Sequence, residues 1–272
     1  MLRHRVLSAI IAIPLLILAI WFEAPWFTLL VSLVAVLAYR ELSSMPSRPI
    51  WAGVPILGGL WMLALILNAH FVNDYSSNTV LMGVASAIAG SAIVFSLVGA
   101  TLQRQGASEE GVNPWAWHAF GVVYLGLLAC FWVLLMNTQG REWVFLALFG
   151  TFAVDTTAYF VGRAWGRRKL APSVSPGKTW EGAAGGLLGG TAGCVLLSFL
   201  LGLDMPYWQA AVLGMLLAVA AQIGDLVESK LKRISGVKEA GGLIPGHGGM
   251  LDRLDSILLT GVVVYYWAYY LA

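Results

Sequence analysis

The residues able to do chemistry in this chain crowd between two apolar stretches near its C-terminal end. Asp225 and Glu228 are spaced to share one face of a helix, and Asp252 and Asp255 repeat that spacing. Between the pairs come Ser229, Lys230, Lys232, Arg233 and Lys238, then the turn Pro245-Gly246-His247-Gly248-Gly249; Arg253 splits the second pair. Carboxylates converging from two helices suit a hard divalent cation such as Mg²⁺, which also takes phosphate oxygens as ligands. Glycines ahead of a helix start let a phosphate approach the exposed amides. Glycine-bracketed His247 fits phosphate binding or loop orientation better than acid–base work. The segment reads as a metal and phosphate site.

A second polar loop spans 163–181. Asp155 and Tyr159 share a helix face just before it, and Gly166-Arg167-Arg168-Lys169 leads to a proline-stiffened stretch in which Ser175 and Lys178 are phosphate-ligand candidates. Gly177-Lys178-Thr179 imitates a Walker A ending, but Pro172 stands where that loop needs glycine. Thr179 is placed to cap the following helix, with Glu181 in its first turn.

Plainer readings compete with these. Glu228 and Lys232 at i,i+4 would serve as an ordinary surface pair, and basic loops on the inner side of a membrane are required by topology. Acids are not, and beside apolar spans they are costly. Asp225, Asp252 and Asp255 therefore carry the functional reading most strongly. His4, His70 and His118 read as interfacial or loop residues, and Cys130 and Cys194, without metal-ligand spacing, as small packing residues.

The elements that position these groups follow from composition. The 272 residues are 59% hydrophobic and 11% charged, against about 25% charged in soluble domains. With about 20 apolar residues per span, nine spans fit, near 6–22, 25–45, 51–69, 79–102, 116–137, 142–164, 181–203, 207–228 and 253–271. The first reads as an anchored helix rather than a cleaved signal. With the N-terminus inside, every Lys and Arg falls on the inner side except Arg141. The expected fold is all-α, a single integral membrane domain over 1–272. Apolar helices occupy 1–140, and the chemistry occupies 141–272. Glycines 182, 186 and 190, and 185, 189 and 193, imply close helix packing in the seventh span, or a groove for a lipid tail.

At Ser229-Lys-Leu-Lys-Arg233, Lys238 and Pro245-Gly-His-Gly-Gly-Met-Leu-Asp-Arg-Leu-Asp255 the chain resembles the phosphatidate cytidylyltransferases. Asp155-x-x-Ala-Tyr-x-x-Gly162 and Ser175-Pro-x-Lys-Thr-x-Glu-Gly182 look like the same family. One departure is Glu239, where that family usually has aspartate, and no metal role is carried onto it.

The resemblance implies the reaction CTP + phosphatidate → CDP-diacylglycerol + pyrophosphate, a committed step of phospholipid biosynthesis, with Mg²⁺ and an active site on the cytoplasmic face of the inner membrane. It implies Asp225 and Asp252 as ligands of the cation or cation pair, with Asp255 as a further ligand or acceptor. Lys178, Lys232, Arg233 and Arg253 would hold phosphates, helped by Asp155, Tyr159, Ser175, Glu181, Ser229, Lys230, Lys238, His247, Gly248 and Gly249. A homodimer and no nucleic-acid partner are expected. A CTP-dependent polyprenol kinase or a CDP-archaeol synthase is the nearest rival. A cation-coupled transporter is disfavoured, because the ionisable groups sit at span ends in one half only.

Overall fold

The computed structural model describes residues 2–45, 53–71, 114–243 and 248–271. In order come α1 (Leu2–Trp21), α2 (Trp26–Ser44), α3 (Gly53–Phe71) and α4, which joins Pro114–Gly121, a π-helical stretch Val122–Leu127, and Leu128–Gln139. Then follow α5 (Arg141–Trp165), the strands β1 (Lys169–Ala171) and β2 (Ser175–Thr179), α6 (Trp180–Leu200), α7 (Tyr207–Ile234), a 3₁₀ turn Leu251–Arg253 and α8 (Ile257–Leu271). By length and composition six helices among the described residues, α2 to α7, can cross a membrane; α1 and α8 hold shorter apolar stretches, Ile10–Trp21 and Ile257–Leu271. This is an all-α membrane protein carrying one small hairpin. The span expected at 79–102, like His247, lies outside the described residues.

The core is centred on α4, where the unbroken run 129–136 is buried. A continuous apolar helix with no polar face needs neighbours all round; α2, α3, α5 and α8 supply them. Phe131 meets Tyr265 edge-on, and Trp132 fills the space beside Gly261. His118 is buried rather than interfacial, its Nδ1 3.3 Å from the Tyr39 hydroxyl.

Helices α5 and α6 lie almost backbone to backbone. A β-carbon on Gly185 would stand 2.5 Å from Val161 Cβ, one on Gly193 2.9 Å from Ala153 Cβ, and one on Gly189 would collide with Thr157. Gly182, Gly186 and Gly190 face the same helix at Ala158 and Val154. Both glycine lines are therefore consumed by packing, and the groove alternative is closed.

Two boundaries differ from expectation. Helix α7 runs on to Ile234 because Leu231 is still buried, and Lys232 and Arg233 complement the negative end of the helix dipole. Asp225 and Glu228 are therefore inside a helix rather than at its end. Helix α8 starts at Ile257, because Asp252 and Arg253 belong to the separate 3₁₀ turn.

Candidate active site

The loop between α5 and α6 is an antiparallel hairpin, Lys169 opposite Thr179 and Ala171 opposite Ser175. Its base is tied at both sides. The Thr179 hydroxyl accepts from Gly182 N at 3.1 Å, the expected N-cap. Glu181 accepts from Arg167 N at 3.0 Å and from Arg168 N at 3.2 Å, so this carboxylate holds backbone amides. At the hairpin's turn, Arg233 Nε donates to Val174 O at 3.1 Å, joining the two polar loops.

This frame aims Lys178 at α7, where its Nζ stands 2.7 Å from Asp225 Oδ2. Asp225 Oδ1 accepts from Ser229 Oγ at 3.3 Å. Next to them, Ser256 links two further acids. Its hydroxyl donates to Asp155 Oδ2 at 2.6 Å, and its amide donates to Asp255 Oδ1 at 2.7 Å. Burial, and then the charge of Asp225, pushes the Asp255 carboxyl up to about 7. Asp155, Asp225 and Asp255 thus act on one another from three elements.

One turn along α7, Glu228 is fully buried, and Lys232 Nζ approaches its Oε1 at 2.9 Å as an ion contact off the hydrogen-bond direction. The same ammonium donates to Asp252 Oδ1 at 2.6 Å. Asp252 Oδ2 accepts from Ala240 N at 3.0 Å and Gly249 N at 2.9 Å. Burial opposes charge on Asp252, but Lys232 and these amides outweigh it and hold the carboxyl below its usual range. The Glu228–Lys232 pair is therefore an interior contact, not the surface pair that its spacing allows.

Of the expected site residues, Asp155, Lys178, Asp225, Ser229, Lys232, Asp252 and Asp255 are brought into this region. Gly249 and the positive-φ Gly248 shape the loop beside Asp252. Ser175 begins β2 at its partly exposed edge. Lys230, Lys238 and Arg253 are exposed around the rim. Tyr159 is exposed, its hydroxyl accepting from Arg163 Nη1 at 2.8 Å on the surface. Asp225 and Asp252 hold different lysines. Among the described residues no three Asp, Glu, His or Cys side chains close into a metal-ligand group.

Three contributors were not foreseen. Ser256 bridges two acids. Tyr124, on the π-helical stretch of α4, has its buried hydroxyl within electrostatic reach of Glu228, Asp255 and Asp225; π-helical turns recur at functional sites. Glu41, buried on α2, accepts from Leu251 N at 2.9 Å. Glu41 had a signal in the sequence, since it is an acid near the inner end of an apolar span.

Known proteins match this arrangement along its whole length. A sequence model of the cytidylyltransferase family matches residues 3–271. The chain is 32% identical to the phosphatidate cytidylyltransferase of Brucella abortus over 266 residues, covering 97% of this chain and 92% of that one. It is 31% identical to the Bacillus subtilis phosphatidate cytidylyltransferase over 268 residues, 97% and 96% of the two chains. To the Mycobacterium bovis enzyme of the same name it is 41% identical over 148 residues, 54% of this chain and 48% of that one. With its acids and lysines gathered where that family's motifs fall, the chain belongs to the cytidylyltransferase family.

Proposed function

We propose that the protein joins CTP and phosphatidate into CDP-diacylglycerol, releasing pyrophosphate. The observation that carries this reading is the convergence of Lys178, Asp225, Lys232 and Asp252 from the hairpin, α7 and the 3₁₀ turn. The family resemblance and the relatives' names support the substrates.

The phosphatidate phosphate is already an anion at neutral pH, so its attack on the α-phosphorus of CTP needs little help from a base. The barrier lies in bringing two polyanions together and in the charge growing on pyrophosphate. Positioned cations are the effective remedy for both. Lys178, on a hairpin fixed by Glu181 and Arg233, and Lys232, fixed by Asp252 and Glu228, are held for that task; Arg233 and Arg253 are assigned to the rim, where phosphates arrive. Asp255, with its carboxyl near neutrality, and Asp155 keep the floor of the site acidic.

In charge and hardness the donor set suits a divalent cation, although among the described residues its carboxylates do not close into a ligand group. Asp155, Asp225, Glu228, Asp252 and Asp255 outnumber the lysines paired with them, and uncompensated carboxylate charge in a half-buried region is costly. Asp225, Asp252 and Asp255 are the proposed ligands of Mg²⁺, alone or with a second cation, which when bound supplies charge neutralisation at the triphosphate and the leaving group.

The proposed setting is a multi-pass protein of the cytoplasmic membrane with nine spans and an inner N-terminus. The site faces the cytoplasm, where CTP is made, and phosphatidate enters from the inner leaflet. A homodimer is proposed from the family resemblance. The deciding experiment is mass spectrometry of lipid products after incubation with phosphatidate, Mg²⁺ and CTP labelled at the α- or γ-phosphate. CDP-diacylglycerol carrying the α-label, with pyrophosphate released, supports the reading; transfer of the γ-phosphate to lipid overturns it.

A further inference from the structure

We infer that Glu41, on α2 in the mostly apolar N-terminal half of the chain, is a positioning residue for the loop carrying Asp252 and Arg253. The inference rests on the cytidylyltransferase reading for its kinetic consequences, though not for its geometry.

Glu41 is 6% exposed. Its Oε2 accepts from Leu251 N at 2.9 Å, at the start of the turn that presents Asp252 and Arg253. A β-carbon on Gly241 would stand 2.7 Å from Oε1, and one on Gly249 2.5 Å from Oε2. The carboxylate is therefore pressed against both legs of the loop, at 241 and at 249–251. Asp252 ties the same two legs through Ala240 N and Gly249 N. One pin belongs to the loop itself; the other comes from a helix 210 residues away in sequence.

A space-filling role would be met more cheaply by an apolar side chain, because burying a carboxylate whose Oε1 has no partner among the described residues is unfavourable. What Glu41 supplies instead is an acceptor for one amide and a flat wall that only glycine can face. Its loss would let the turn shift. Misplacement of reacting groups by about 1 Å costs on the order of 100-fold in rate.

The test compares variants of the full chain in detergent or nanodiscs. Glu41→Ala should lower kcat roughly 30-fold while the KM values for CTP and phosphatidate stay within about threefold, the pattern of a displaced catalytic group. Glu41→Gln keeps an oxygen facing Leu251 N and should stay within about fivefold of wild type. Gly241→Ala should lose about tenfold, because its methyl meets Glu41. Adding Glu41→Asp, shorter by one methylene, should recover at least about threefold of that loss. Hydrogen exchange of the amides at 249–254 should quicken about tenfold in Glu41→Ala, whether or not the protein turns over CTP.

A folded Glu41→Ala protein with kcat and exchange within about twofold of wild type overturns the inference, as do Gly241→Ala and Glu41→Asp losses that simply multiply. If Glu41→Ala does not fold, the Gly241 pair decides. If wild type makes no CDP-diacylglycerol yet the exchange change appears, the functional reading fails and the anchoring role stands.

Discussion

Helices α1–α4 and the stretch from α5 to α8 use buried polar groups in different ways. In the first region, Glu41 and Tyr124 apart, several form separate pairs, such as Thr28 with His70 at 3.0 Å and the Trp117 indole with Leu42 O at 2.8 Å. Each pair satisfies itself and fixes one helix contact. In the second region the groups share partners. Lys232 serves both Glu228 and Asp252, and Ser256 serves both Asp155 and Asp255. A self-contained pair can be lost at local cost. Removing one member of a linked set leaves its former partners buried and unpaired, at a larger cost.

The comparison can be broken at its strongest point first. Asp225→Asn removes the counter-charge of Lys178 and a proposed cation ligand. Turnover should fall by about 1,000-fold, with the protein still monodisperse in detergent; retention of a tenth of the activity would remove Asp225 from that role. Lys232→Ala leaves Glu228 and Asp252 buried without their shared cation and should cost about 3–5 kcal/mol of stability, measured by thermal or denaturant unfolding. Lys232→Ala combined with Glu228→Gln should recover part of that loss, because a neutral amide needs no counter-charge.

Smaller effects sharpen the contrast. In metal-free buffer the raised carboxyl of Asp255 means that the folded chain holds a proton that the unfolded chain releases. Stability from this group is therefore present at low pH and lost as pH rises through about 7. The melting temperature should decline from about pH 4 to about pH 7 and level off above it, and Asp255→Asn should flatten that decline. Trp117→Phe, in the other region, removes one self-contained hydrogen bond. It should cost about 1 kcal/mol in unfolding, and kcat per folded molecule should not change.

Where groups are costly in an apolar setting, the amino-acid sequence made them visible. Asp225, Asp252 and Asp255 stood out because acids beside spans have no topological purpose, and the Thr179 cap followed from its place before an apolar run. The hairpin was hidden because its strands are short and are interrupted by proline, glycine and serine, which read as loop. The interior position of Lys232 was hidden because the i,i+4 spacing to Glu228 is the same on a wet and on a dry face. Glu41 and Tyr124 escaped notice for a different reason. Their importance comes from α2 and α4 reaching the far half of the chain; Glu41 carried the signal of an acid near a span's inner end, whereas Tyr124, alone in an apolar run, had no local pattern to mark it.

The seam of glycines between α5 and α6 has a mechanical consequence. Two rods locked glycine against short side chains leave little room to slide or tilt, so the strands joining them are mounted on a single stiff beam. Lys178 thus has a stationary perch facing Asp225.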